Sequence, residues 1–96
     1  MVVLALHVAL YLPGCRSLKD RRRLVRPIVD GARARFRVSA ADLGGADRWH
    51  RAELGFAVVS GEHGHARDVI DDVERFVWSF PEIEVLDTER TWLEGA

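Results

Sequence analysis

Every second residue from Val2 to Leu12 is large and apolar: Val2, Leu4, Leu6, Val8, Leu10 and Leu12. The positions between them, Val3, Ala5, His7, Ala9 and Tyr11, are smaller or partly polar. Alternation with period two predicts a β-strand with one face in a core, and Pro13-Gly14 ends it. From Ser17 the period changes. Ser17 suits an N-cap, with Asp20 three residues on as its capping-box partner, and a helix is predicted from there to Phe36. Leu18, Leu24, Val25, Ile28, Ala32 and Phe36 gather on its core side. Val38 to Leu43 reads as a short second strand, followed by a loop opened by Gly44-Gly45 that reaches Arg48. A third strand runs from Trp49 to Ser60, with Ala52, Leu54, Phe56 and Val58 pointing inward. Gly61 to His65 breaks it. A second helix then carries Ala66, Val69, Ile70, Val73, Phe76, Val77 and Phe80 at i, i+3, i+4 spacing, and Pro81 closes it. The last strand spans Ile83 to Leu93. Its alternation slips near Leu86-Asp87, as an edge strand with a bulge would show.

The order β-α-β-β-α-β predicts a ferredoxin-like α+β sandwich, a four-stranded antiparallel sheet with both helices on one face. The first and third strands, the longest and most apolar, are expected at its centre. Residues 1–96 read as a single domain. Pro27 is the one discordant residue, predicting a kink near Arg23 or a split into two shorter helices.

Composition adds a charge asymmetry. The formal net charge is only −1, yet Arg16 to Arg37 holds nine positive and two negative side chains. On a helical wheel Lys19, Arg22, Arg23, Arg26, Arg33 and Arg37 share an arc of about 100° opposite the apolar side. Arg21 and Arg35 lie nearer the core edge and are expected to snorkel outward. Such a stripe fits a phosphate backbone, with Arg16 at the helix entrance. The simpler reading is a solvated face, or a charge match with Asp68, Asp71, Asp72 and Glu74 on the second helix. The chain contains no Asn and no Gln, so bidentate amide readout of adenine is excluded. Met1 to Leu12 is too short an apolar run to span a bilayer and lacks signal-peptide features, which points to the cytoplasm. A single cysteine, Cys15, excludes an internal disulfide and a cysteine-based zinc cluster.

The sheet face away from the helices shows Val3, Ala5, His7, Ala9 and Tyr11 beside Arg51, Glu53, Gly55, Ala57 and Val59. Only Tyr11 is aromatic, so a base-stacking platform is missing, and the small apolar residues suit a homodimer through this face. Trp49 and Arg51 enter the third strand, where the first fits base stacking and the second a phosphate contact. Alternatively Trp49 covers the end of the core and Arg51 pairs with Glu53 or an acid of a neighbouring strand. Trp78 falls on the polar side of the second helix and marks a contact surface. The Pro13–Ser17 turn before a helix N-terminus fits an anion, and acylphosphatases use this fold with a loop arginine. Their chemistry also needs a side-chain amide, which is missing, so no enzyme is expected. His63 and His65 lack a third metal ligand, and Cys15 lacks a neighbouring base. No metal or cofactor is expected.

Leu12-Pro13-Gly14, Ser17-Leu18-Lys19 with Arg22-Arg23, and the run Asp47 to Gly55 continuing through Ala57-Val58-Val59-Ser60 resemble the two signatures of the YlxP-like family of small bacterial domains of unknown function. Val85-Leu86-Asp87 and Trp92-Leu93 fit as well, while Pro27 and Cys15 depart from the family's usual residues. The resemblance implies the ferredoxin-like fold. It also implies a gene neighbourhood among translation and ribosome-maturation factors, hence an RNA-related role with no established activity. The combined expectation is a non-enzymatic RNA-binding or ribosome-associated accessory protein. Its contact residues would be Arg16, Lys19, Arg22, Arg23, Arg26, Arg33, Arg37, Trp49 and Arg51. A protein–protein adaptor without nucleic-acid contact is the alternative.

Overall fold

The chain alternates strand and helix as β1 (Val2–Tyr11), α1 (Leu18–Phe36), β2 (Ser39–Gly44), β3 (Arg51–Ser60), α2 (His63–Trp78) and β4 (Glu84–Glu94). The computed structural model describes residues 1–44 and 50–95. The four strands form one antiparallel sheet in the order β2-β3-β1-β4. This is the ferredoxin-like arrangement, with β1 and β3 at the centre as their apolar alternation requires.

Leu4, Leu6, Val8 and Leu10 of β1 and Ala52, Leu54 and Phe56 of β3 are buried beneath the two helices. Leu24, Val25, Ile28, Val29 and Ala32 of α1 meet them, with Ala66, Ile70, Val73 and Val77 of α2. One contiguous cluster therefore fills the space between layers. Gly31 of α1 allows close approach of the helices: a Cβ there would stand 2.6 Å from Cζ of Phe76. That ring is held edge-on between Phe36 and Phe80, at centroid distances of 5.5 and 5.1 Å.

α1 is one unbroken helix through Pro27, not two shorter ones. Pro27 and Arg23, whose carbonyl the proline leaves without a helical donor, are both exposed. Leu18 lies outside the core, 60% exposed. It opens the helix, where side chains lean back over the N-cap and not onto the sheet. Val29 takes a core place instead.

α2 begins at His63, earlier than the glycines of 61–65 predict, because its first bond runs from Ala66 N–H to the Glu62 carbonyl. A glycine in a first turn costs less than one in mid-helix, since first-turn N–H groups have no helical partner in any case. α2 ends at Trp78, with the Ser79 hydroxyl donating to the Phe76 carbonyl at 2.6 Å. On β4 the register against β1 shifts between Ala9 and Leu10, so that Leu86 is the extra residue of a bulge.

Candidate nucleic-acid interface

Capping at both ends fixes where the basic side chains of α1 stand. The Ser17 hydroxyl accepts from Asp20 N–H at 3.1 Å, and the Asp20 carboxylate accepts from Arg16 N–H at 3.1 Å. At the other end Arg37 adopts a left-handed conformation (φ 56°) and its N–H bonds the Arg33 carbonyl at 3.1 Å. Arg16 and Arg37 thus mark the two ends of an exposed row formed by Lys19, Arg22, Arg23, Arg26 and Arg33. Over about 19 residues the helix is roughly 28 Å long.

Arg22 and Arg26 stand on a ridge between two shallow depressions. One, toward β2, is floored by Val25 and Val29 and bordered by Arg33 and Asp42. The other, on the outer side, is bordered by Arg23 and Pro27. Asp30 borders both and lies 3.5 Å from Arg33. Arg33 also donates to the Ala40 carbonyl on β2 at 2.6 Å. It is therefore half committed to blunting that edge strand. Arg23 reaches Glu82 at 3.9 Å across solvent.

Arg21 does not snorkel outward. Its side chain is only 13% exposed and forms a bidentate fork with Asp42 of β2 at 2.5 and 2.9 Å, its Nε donating to the Arg51 carbonyl at 3.3 Å. The hydrogen bond from Arg21 holds the Asp42 carboxyl below the usual carboxylate range, against the opposing effect of burial. Asp42 and the Arg51 carbonyl, 21 and 30 residues away, give Arg21 this role, and no local pattern signals it. Arg35 lies over the rings of Phe76 and Phe36 at 5.2 and 5.8 Å.

The alternative charge match between the helices is not formed among the described residues. The α2 acids turn elsewhere: Asp71 and Glu74 bind Arg90 of β4 at 2.8 and 3.3 Å, and Asp72 binds Arg75. Lys19, Arg22, Arg26 and Arg37 have no ion-pair partner among the described residues.

Arg51 is not brought into this row. It belongs to the open face of the sheet, in register with Tyr11, and its carbonyl accepts from Arg21 of α1. Nor does it pair with Glu53, which bonds His7 Nε2 at 2.8 Å. Trp49 lies outside the described residues. Tyr11 stands at the corner of the open face, edge-on to His50 at 5.9 Å. Trp78 is exposed beside Arg90 and Ser79. His63 contacts Glu94 and the Trp92 ring. Cys15 is buried and its thiol donates to the Ser17 carbonyl at 3.4 Å, a turn-stabilising place. No helix among the described residues is long and apolar enough to cross a membrane.

Comparison with known proteins agrees with the signatures read along the chain. The sequence is 34% identical over 76 residues to the uncharacterized protein YlxP of Bacillus subtilis (strain 168), covering 79% of this chain and 83% of that protein. Among solved structures, Rv0793 from Mycobacterium tuberculosis is similar with a TM-score of 0.48 and 16% identity, over 97% of this chain and 95% of that one. That likeness is too weak to bear on function. A family model described as a protein of unknown function (DUF503) matches residues 3–90, and the chain belongs to that family.

Proposed function

We propose that the protein is a non-enzymatic, cytoplasmic RNA-binding or ribosome-associated accessory factor that meets RNA with the outer surface of α1. The observation that carries this reading is the row Lys19, Arg22, Arg26 and Arg37, exposed and without ion-pair partners among the described residues. Surface cations without an intramolecular partner keep their full attraction for a polyanion, and each neutralised phosphate releases counterions. Arg16, Arg23 and Arg33 extend the row at its ends and flank.

The opposite face of the molecule is ill suited to the same ligand. Glu53, Glu84, Asp87 and Glu89 stand there in register with β1 residues of the open face, and among the described residues its aromatic stacking is confined to the Tyr11 corner. With neither side-chain amides nor a platform, recognition rests on the shape and charge of the RNA.

Charge reversal at the ridge tests the mechanism. Arg22→Glu combined with Arg26→Glu changes two exposed side chains, so the far-UV circular dichroism and melting temperature should stay close to wild type. Retention on immobilised structured ribosomal RNA should be lost. Retention at the wild-type level by the folded double variant contradicts this reading.

A further inference from the structure

The open face of the sheet carries side chains that do not match a solvated setting. An antiparallel sheet with one wet face alternates apolar-in and polar-out, yet Val3, Ala5 and Ala9 on β1 and Gly55, Ala57 and Val59 on β3 all turn to that side. A shallow trough crosses the face, floored by Ala5, Gly55 and Ala57 and walled by His7 and Leu43. Leu43 rests on Gly55: a Cβ at that glycine would meet its Cδ1 at 3.2 Å. Next to the trough, Val3 is flanked in register by Val59 and Leu93, which are 65% and 64% exposed. A contiguous apolar patch of this kind is a contact surface.

We infer that a second copy of this chain covers the face, the two sheets packing about a two-fold axis that runs parallel to the strands between β1 and β3. The register is compatible with this arrangement. Within one sheet Ala5 pairs with Ala57, His7 with Gly55, Ala9 with Glu53 and Tyr11 with Arg51. Rotation about that axis sets each β1 residue over the β3 residue that is its own neighbour's equivalent. His7 then meets the partner's Gly55 and the leucine resting on it, Glu53 meets the partner's Ala9, and Arg51 meets the aromatic ring of the partner's Tyr11. Large or charged groups face small or neutral ones in both directions, as an isologous contact requires. An axis across the strands through the His7–Gly55 row would instead stack Glu89 on the partner's Glu89, since Glu89 shares that row. Like charges so placed repel.

The area reaches the threshold when all four strands take part. β1, β3 and β4, of ten or eleven residues, and the six-residue β2, spaced about 4.8 Å apart, present about 600 Å². Two such faces bury about 1,200 Å², the lower bound for a stable specific interface. Aligned sheets cross at about 30°, so the match is tightest on the two central strands. α1 lies on the other side of the sheet, so this contact stands or falls independently of RNA binding.

Sedimentation velocity of the full chain over a concentration series tests the contact, with an expected particle of twice 10.8 kDa. Ala57→Glu places a carboxylate beside the axis and should halve the mass. Val59→Lys should do the same at a site too exposed to matter for folding of the single chain. Circular dichroism verifies that both variants are folded. Trp78→Ala, on α2, should leave the dimer intact. A wild-type protein that stays at 10.8 kDa to its highest soluble concentration overturns the inference. So does a dimer that survives both open-face substitutions in folded protein, or one that Trp78→Ala dissociates.

Discussion

Arg21 and Arg22 are adjacent and chemically identical, and they do different things. Arg21 sits at the seam between α1 and β2, where its fork on Asp42 ties the helix to the edge strand, while Arg22 stands on the outer ridge. The folded Asp42 carboxyl ionises below its ordinary range because of Arg21. Its contribution to stability is therefore complete above the unfolded value of about pH 4 and lost as pH falls through the lower folded value. Asp42→Asn should cost about 1 kcal/mol at neutral pH. The gap between variant and wild type in urea midpoints should narrow below about pH 4. A gap that is constant from neutral to acid pH would remove the ion pair from the explanation. At Gly31 the helix–helix contact decides. Gly31→Ala gains about 1 kcal/mol of helix propensity but drives a methyl into a Phe76 ring already held by Phe36 and Phe80. Overpacking of this kind typically costs about 1–3 kcal/mol, so a net loss of about 1 kcal/mol is expected in chemical unfolding. None of these pairings is legible from sequence. Asp42 and Phe76 are far along the chain from the residues they meet, and helical periodicity shows which side a residue faces without showing its partner.

Elements were far more legible than contacts. Period-two alternation marked β1 and β3 as the central strands, and the slip at Leu86-Asp87 on β4 corresponds to the bulge at Leu86. Both signals are local and depend on which face is buried. Misreadings fall at the ends of α2, at Leu18 and in the predicted split at Pro27, where periodicity competes with capping and with tertiary packing. α1 continues through Pro27 because Ile28 and Val29 beyond it are buried in the core. Burying each aliphatic side chain contributes about 1.5–3 kcal/mol, which together exceeds the roughly 3 kcal/mol that a mid-helix proline costs. Pro27→Ala restores the N–H for the Arg23 carbonyl at an exposed site. It should stabilise the protein by about 1–2 kcal/mol, after allowance for the greater freedom of the unfolded chain. A fall in melting temperature would mean that α1 requires the proline's geometry.

Across the whole molecule the near-zero net charge conceals a separation of sign between the α1 segment and the rest of the chain. The outer surface of α1 is basic, whereas the β4 side of the open sheet face carries Glu84, Asp87 and Glu89. That polarity orients the molecule toward a polyanion with α1 leading. It also keeps the basic surface of α1 and the apolar part of the sheet face on opposite sides. The charge stripe was legible in sequence because it lies on one helix. Which of its members remain unpaired was not, since Arg21, Arg33 and Arg23 find partners through β2, the helix itself and the segment after α2. The measurement that decides whether the stripe works is the affinity for a structured ribosomal RNA fragment across a salt series, with an acidic polymer as control. Four to six phosphate contacts along α1 predict a slope of log affinity against log salt of about −3 to −5. Binding should be tighter than to the polymer, and the slope should flatten by about two in the Arg22→Glu, Arg26→Glu protein. Affinity that ignores salt, or no binding even at low salt, would contradict a phosphate-binding α1 and leave its arginines as a solvated surface.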